Sequence, residues 1–296
     1  MAKIAVNSRS AQPSTDEQPR TVGARIVAAG SGWSVEDVIC ARGPQDRRFE
    51  EQHDRFVIAI VTSGTFQYRS SGAGSEAMMT PGSLLLGSPG QCFECGHEHG
   101  VGDRCLSFQF TSGYFSEIAP DPEGHQALRG FRSAKLSPVR TLSPLVAEAC
   151  AALSGSPEIA WEELGVRLIA RALQLDDDRR NGEPAASPAA IARVTESVRA
   201  IDDDPASDLT LVRLAKQAGL SPFHFLRTFE RATGTTPHQY MLRTRLRKAA
   251  VRLAADEEKI VDVAFAAGFG DISNFNRAFR AEFGVSPTRY RQRRRR

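Results

Sequence analysis

The sequence predicts an α+β fold, with an N-terminal β-barrel, a helical segment after it and an all-α domain at the C-terminus. Three observations predict this order. Short apolar runs separated by Gly and Pro fill about 21–111, apolar residues recur every three to four positions over 137–178, and two similar helical units follow residue 209. A length of 296 residues fits about two domains.

Charge is divided unevenly along the chain. The net charge of +3 is the sum of −5 over residues 1–190 and +8 over residues 191–296. The second part contains 20 Lys/Arg and 12 Asp/Glu. This division indicates that only the back part meets a polyanion.

There is no run of 18 apolar residues to predict a membrane span, and 1–20 lacks the apolar core of a secretory signal. The odd count of five Cys fits a reducing cytoplasm.

Strand signals dominate the front part. The run 56-FVIAIVTSGTFQYR-69 is typical of two strands around a Ser-Gly turn, and 81-PGSLLLGSPGQ-91 places an apolar run between turns. In 105-CLSFQF-110, Leu106, Phe108 and Phe110 share one face. Many short strands separated by turns rich in Gly and Pro predict a sandwich or barrel.

Helical spacing replaces the strand pattern after Ser137. Two apolar faces are expected, separated by 154-SGSP-157, and they pack on the barrel, on each other or on a second copy of the chain. Their members are Leu142, Leu145, Val146, Ala149 and Leu153, then Leu164, Leu168, Ala172 and Leu175. The run 176-DDDRRNGEPAASP-188 is charged and then rich in Pro, Ala and Ser, which is typical of a linker.

Two helix-turn-helix units are predicted in the back part. In each unit a glycine ends the first helix, a capping side chain starts the second, and Gly and then Pro stop it. These residues are Gly219, Ser221, Gly234 and Pro237 in the first unit, and Gly268, Asp271 or Ser273, Gly284 and Pro287 in the second. The helix expected over 238–256 is ~25 Å long. It is suited to holding two recognition helices about one DNA turn apart.

The segment 263-VAFAAGFGDISNFNRAFRAEFGVSPTRYR-291 resembles the signature of the AraC/XylS family of bacterial transcription regulators. The resemblance covers about 191–291. It implies a seven-helix domain that binds promoter DNA, recruitment of RNA polymerase, dimerisation helices and a cupin-like barrel in front. His53, Gly64 and PGSLLLGSPG are similar to features of that barrel. The run 274-NFN-276 departs from the family, which often shows Tyr or His and then Phe-Ser, so the bases read by this helix stay open.

We expect the second helix of each unit to read bases with the face opposite its apolar one. That face holds Phe223, His224, Arg227, Thr228 and Arg231 in the first unit, and Ile272, Ser273, Asn276, Arg277 and Arg280 in the second. By the resemblance, Arg227 and Arg277 match positions that usually reach DNA; a phosphate contact or an ion pair within the domain is the alternative. Phosphate contacts are expected from Arg243, Arg245, Arg247, Lys248 and the tail 291–296.

The stretch 92-CFECGHEHGVGDRC-105 is the candidate for chemistry, because it gathers soft side chains. If a strand runs through it, three of these side chains share one face and suit zinc or another soft metal ion. The candidate ligands are Cys95, His97, His99 and Cys105. The alternatives are redox sensing through Cys92, Cys95 and Cys105, or a structural hairpin with an organic effector bound elsewhere in the barrel.

Together these features predict a cytoplasmic DNA-binding transcription regulator, an activator and a homodimer, whose barrel senses a small molecule or a metal ion. Promoter DNA and RNA polymerase are the expected partners, with no membrane contact and no enzyme activity. The alternatives are a cupin-type metalloenzyme fused to a DNA-binding domain and an architectural protein without sequence preference. The expected segments are a disordered arm at 1–20, the barrel at 21–136, a helical dimerisation segment at 137–178, a linker at 179–190 and the DNA-binding domain at 191–296.

Overall fold

The N-terminal part of the chain folds into two antiparallel sheets. The structure, a computed structural model, describes residues 22–71, 76–119, 130–154, 159–178, 187–255 and 257–294. The expected arm at 1–20, positions 179–186 of the expected linker and Arg295–Arg296 of the basic tail lie outside the described residues.

The strand order brings distant parts of the chain side by side. The first sheet has the order β1 (Val22–Gly30), β2 (Trp33–Cys40), β9 (Asp103–Phe110), β4 (Phe56–Gly64), β7 (Leu84–Gly87) and β10 (Lys135–Leu136). The second has the order β3 (Phe49–Gln52), β8 (Cys92–Gly96), β5 (Phe66–Ser70) and β6 (Glu76–Met79). We call these two sheets together the β domain.

The central strands of the first sheet are buried on both faces. Ile58 of β4 and Phe108 of β9 belong to a core that the sheet shares with helices. Their neighbours on the opposite face, such as Cys105, pack with Phe66 and Tyr68 of the second sheet. This explains why β4 is almost continuously apolar, since a strand covered on both sides has no solvent face.

Two longer helices cover the outer face of the first sheet. Ser112–Ile118 forms α1, Ser143–Leu153 forms α2 after a 3₁₀ turn at Arg140–Leu142, and Trp161–Asp178 forms α3. The apolar faces expected from the sequence are buried or half-buried against the sheet, as with Leu145 of α2 and Leu164 of α3. Since this apolar surface is used within the chain, it is not available for a dimer contact in this arrangement.

The C-terminal part is helical and contains both expected helix-turn-helix units. Its helices are α4 (Pro188–Asp203), α5 (Leu211–Gln217), α6 (Pro222–Thr233), α7 (Pro237–Ala255), α8 (Ile260–Ala266), α9 (Ile272–Phe283) and α10 (Pro287–Arg294). The predicted α+β class, a β-rich N-terminal domain followed by a helical one, is confirmed. Ser187 caps α4, so this helix begins inside the stretch expected as a linker.

The β domain is docked on the helical domain. Lys135 is buried between them, and its ammonium group donates to the carbonyl of Met78 at 2.6 Å and to that of Ala232 at 3.1 Å. Ala147 and Ala151 of α2 belong to the same core as α7 and α9. The contact therefore combines apolar packing with hydrogen bonds. None of the described helices is long and apolar enough to cross a membrane.

The glycines in the two helix-turn-helix turns offer a matched test of this packing. Gly219 and Gly268 both have positive φ, +66° and +82°. A Cβ at Gly219 would meet no atom within 4 Å, whereas one at Gly268 would lie 2.6 Å from the Cα of Ala206. Gly219→Ala should cost about 1–2 kcal/mol for the left-handed backbone alone.

Gly268→Ala should cost the same amount plus about 1–3 kcal/mol, because the backbone around Ala206 has to shift. Chemical denaturation of the two full-length variants measures the difference. Equal losses of stability in the two variants would show that the backbone at Ala206 leaves room for a Cβ at position 268.

Candidate functional site

The second helices of both units present the residues expected to read bases. α6 begins after Ser221, whose hydroxyl accepts the His224 amide N–H, and α9 begins after Asp271, whose carboxylate accepts the Asn274 amide N–H. Most of the expected residues are exposed, and Thr228 and Ile272 are half-buried. The exposed ones are Phe223, His224, Arg227 and Arg231 on α6 and Ser273, Asn276, Arg277 and Arg280 on α9.

Neighbours on the same helices hold the two arginines that correspond between the units. The guanidinium of Arg227 lies 5.8 Å from the ring centre of Phe223, whose side chain is 64% exposed. That of Arg277 donates to the Asn274 carbonyl oxygen at 3.3 Å. Both contacts run along the helix surface and leave other guanidinium donors free to point outward. Both guanidinium groups therefore lie at the exposed surface of their helices.

The basic residues of α7 have other partners than the expected phosphates. Arg245 donates to the carbonyls of Pro205, Ser207 and Gly268, at 2.5, 3.4 and 3.0 Å. Further carbonyls inside the chain accept from Arg243, Arg247 and Lys248. These cations thus join α7 to the turns around it, and phosphate contacts by them stay a prediction.

One group of soft and acidic side chains among the described residues has the spacing of a metal site. It consists of Cys40, His97 and Asp103, whose ligand atoms all lie within 4.8 Å of one another. Cys40 ends β2 and pairs directly with Asp103, the first residue of β9, while His97 follows the end of β8. His97 Nε2 lies 2.5 Å from Asp103 Oδ1. Thiolate, imidazole and carboxylate together suit a divalent zinc-like ion.

Only His97 of the four expected ligands belongs to this group. The strand ends at Gly96, so His99 lies in a turn rather than on the strand face that was expected to carry it. Cys95 and Cys105 are buried, and burial raises the pKa of both thiols. A thiol held in its neutral form is a poor nucleophile, which disfavours redox sensing at these two positions.

His97 and His53 of the β domain are in opposite electrostatic environments. Burial lowers the pKa of His97, but its hydrogen bonds to Asp103 and Cys40 and the charge of Asp103 outweigh burial and raise the pKa to about 9. Burial lowers the pKa of His53 to about 4. His53 is hydrogen-bonded to the Tyr68 hydroxyl at 2.9 Å and stacked on Phe93, so it serves as a neutral core side chain.

A cleft of about 400 Å³ lies beside the Cys40–His97–Asp103 group. One wall is formed by the ends of β2, β4 and β9, including Cys40 and Asp103, and the other by the C-terminal end of α4. The α4 wall contributes Arg199, Asp202 and Asp203. The cleft thus lies between the β domain and the helical domain. Sequence reasoning missed it because Cys40 and Asp103 become neighbours only through the pairing of β2 with β9.

Two family models match the chain. One, described as an AraC-like ligand binding domain, matches residues 35–172, and the other, described as a helix-turn-helix domain, matches residues 214–293. The first model covers the β domain from β2 onward, with α2 and most of α3, and the second begins within α5 and covers α6 and α9.

Similar proteins match most of the chain or its C-terminal part. The transcriptional activator RhaS of Klebsiella pneumoniae is 27% identical over 269 residues, which cover 85% of this chain and 90% of that protein. The probable transcriptional regulator LumQ of Photobacterium leiognathi is 39% identical over 82 residues, 28% of this chain and 33% of that protein. Among solved structures, the DNA-binding domain of AdpA in complex with a target DNA is 27% identical, covers 35% of this chain and 93% of that chain, and has a TM-score of 0.34.

Proposed function

The chain belongs to the AraC-type DNA-binding transcription regulators with a ligand-binding N-terminal domain, and from that premise we propose that α6 and α9 read bases in two successive major grooves. The observation that carries the proposal is the matched exposure of polar residues on these two helices, on either side of one 19-residue helix, α7. Its length of about 28 Å approaches the ~34 Å of one DNA turn.

The chemistry of the two faces specifies what each is suited to read. Arg227 and Arg277 each take O6 and N7 of a guanine, and Asn276 takes N6 and N7 of an adenine. Phe223 and Ile272 contact thymine methyl groups. His224, Thr228, Arg231, Ser273 and Arg280 flank these positions and bind base edges or phosphates. The first unit is therefore the less polar reader and the second the more polar one.

Regulation follows from the N-terminal domain. We propose that the β domain binds a small molecule or a metal ion, and that occupancy shifts how the helical domain engages promoter DNA. The regulator acts in the cytoplasm as a homodimer and as an activator that contacts RNA polymerase. RhaS, which aligns with 85% of this chain, is named a transcriptional activator, which supports this reading over a cupin-type metalloenzyme.

Selection of binding sites from random duplex DNA by the full-length protein tests the proposal. We expect an enriched site with two conserved blocks whose centres lie about 10 bp apart, because one block is read by each unit. The affinities for the selected site and for a shuffled copy are then compared at one salt concentration. Equal affinities would overturn sequence-specific reading and favour an architectural protein.

A further inference from the structure

The cleft between the two domains has a metal-type ligand set on one wall. We propose that Cys40, His97 and Asp103 bind one Zn²⁺ ion, whose remaining coordination position opens toward α4. This proposal extends the regulation described above, and only its predicted effect on DNA affinity rests on the proposed function. The metal site itself stands on the geometry of the β domain.

The ligand atoms are close to the positions that a tetrahedral ion requires. In a tetrahedral zinc site with bonds of 2.0–2.3 Å, neighbouring ligand atoms are roughly 3.3–3.8 Å apart. The three atoms here are within 4.8 Å of one another, and the closest pair, His97 Nε2 and Asp103 Oδ1, is at 2.5 Å. To complete three ligands, side-chain rotations would part this pair and bring in Cys40 Sγ, and Zn²⁺ would displace the thiol proton of Cys40 and the proton held on His97.

The surroundings support the ligands from behind. The Cys105 thiol donates to Asp103 Oδ2 at 3.3 Å, which leaves Oδ1 for the metal. The backbones of Cys40 and Asp103 are fixed as partners in the sheet, so both ligands come from rigid elements. The side chains of His97 and Asp103 are only 2% and 7% exposed, so bulk water does not compete for their hydrogen bonds.

The cleft beside the site contains an unsatisfied polar group. Thr65 lines the cleft, is 3% exposed, and its hydroxyl has no hydrogen-bond partner among the described residues. A hydroxyl buried without a partner is costly, so the wall of the cleft next to the metal ligands keeps an unused hydrogen-bonding group. Three protein ligands with one open position is the arrangement of zinc sites that bind a further molecule.

The opposite wall connects the site to the recognition helices. Asp202 and Asp203 of α4 line the cleft, and a carboxylate oxygen from this wall is a ligand type that the open position accepts. Asp202 also accepts from the Tyr240 hydroxyl of α7 at 2.8 Å. Bound metal therefore strengthens the docked arrangement, in which the reading faces of α6 and α9 are exposed. A more rigid docked form binds DNA at lower entropic cost, so Zn²⁺ raises DNA affinity.

Titration of Co²⁺ into the metal-free, reduced full-length protein tests the site. We expect one equivalent to bind, with the visible d–d bands of a tetrahedral ion and a near-ultraviolet charge-transfer band from one thiolate. Cys40→Ser should remove the charge-transfer band, and His97→Ala should lower the affinity by at least about tenfold. Asp103→Asn provides a second ligand variant if one of these fails to fold, as judged by its denaturation profile.

Matched variants distinguish this site from other sets of soft ligands. Cys92→Ser and His99→Ala change the same residue types a few positions away, and both should keep the full spectrum and stoichiometry. Loss of the charge-transfer band in Cys92→Ser but not in Cys40→Ser would overturn the assignment. So would a wild-type spectrum that lacks any thiolate band.

The effect on DNA is measured separately, with Zn²⁺ alone and the selected duplex. Zn²⁺ should raise the affinity of the wild type by about fivefold or more, within the usual range of coupling between sites, and leave Cys40→Ser unchanged. Stoichiometric metal with no change in DNA affinity would overturn the coupling. Specific DNA binding by the metal-free protein shows that the reading of DNA stands even if the metal site fails.

Discussion

Phe229→Ala should lower the free energy of unfolding of the helical domain by about 3–5 kcal/mol, the usual loss for a buried phenylalanine. Phe229 is fully buried in α6, with ring centres of Phe225 and Tyr240 each at 5.7 Å. The Phe229–Tyr240 contact joins α6 to α7 within a core that also includes residues of α4 and α5. Without Phe229 this packing is weakened, so specific DNA binding should fall together with stability.

Phe223→Ala is the matched control, because Phe223 lies in the same helix but is 64% exposed. Its stability should change by less than about 0.5 kcal/mol, while affinity for the selected site falls. Urea denaturation followed by helical circular dichroism, with DNA titrations on the same samples, gives both quantities. Comparable losses of stability in the two variants would mean that α6 does not divide into a core face and a reading face.

Arg277→Ala should weaken binding to the selected site by about 1–3 kcal/mol, or roughly 5- to 150-fold, and reduce discrimination at one base pair. Arg277 is exposed on α9, and its contact with Asn274 holds the guanidinium near the helix surface. Truncation removes the bidentate donor without disturbing the core formed by Phe275 and Phe279. The unfolding midpoint should stay at the wild-type value.

Arg277→Lys separates base reading from a phosphate contact. Lysine keeps the charge but lacks the planar pair of donors that matches guanine. If Arg277 reads a base, the lysine variant also loses discrimination and keeps the salt dependence of binding. If instead it binds a phosphate, the lysine variant should keep most of the wild-type affinity for every sequence.

The helix-turn-helix units were predictable because their signals are local. Gly219 and Gly268 adopt the positive φ that the turns require, and Ser221 and Asp271 cap the helices that follow. Such caps and turns depend on residues a few positions apart, so the sequence alone reveals them. The division of α6 and α9 into buried and exposed faces follows from the helical period in the same way.

The metal-type cluster was not predictable because its members meet only in the folded sheet. Cys40 and Asp103 are brought together by strand pairing. The dense Cys and His residues of 92–105 instead predicted a ligand set confined to that segment. A turn after Gly96 breaks the alternation that was expected to reach His99. The arginines of α7 show the same limit, since carbonyl partners such as Pro205 and Pro138 lie far away in sequence.

A base-by-base substitution scan of the selected site with wild type, Arg227→Ala and Arg277→Ala tests the two-groove reading most directly. We predict that each variant loses discrimination within one block only, and that the two affected blocks are different and about 10 bp apart. If both variants weakened binding evenly at every position, or affected the same block, one chain would not read two successive major grooves.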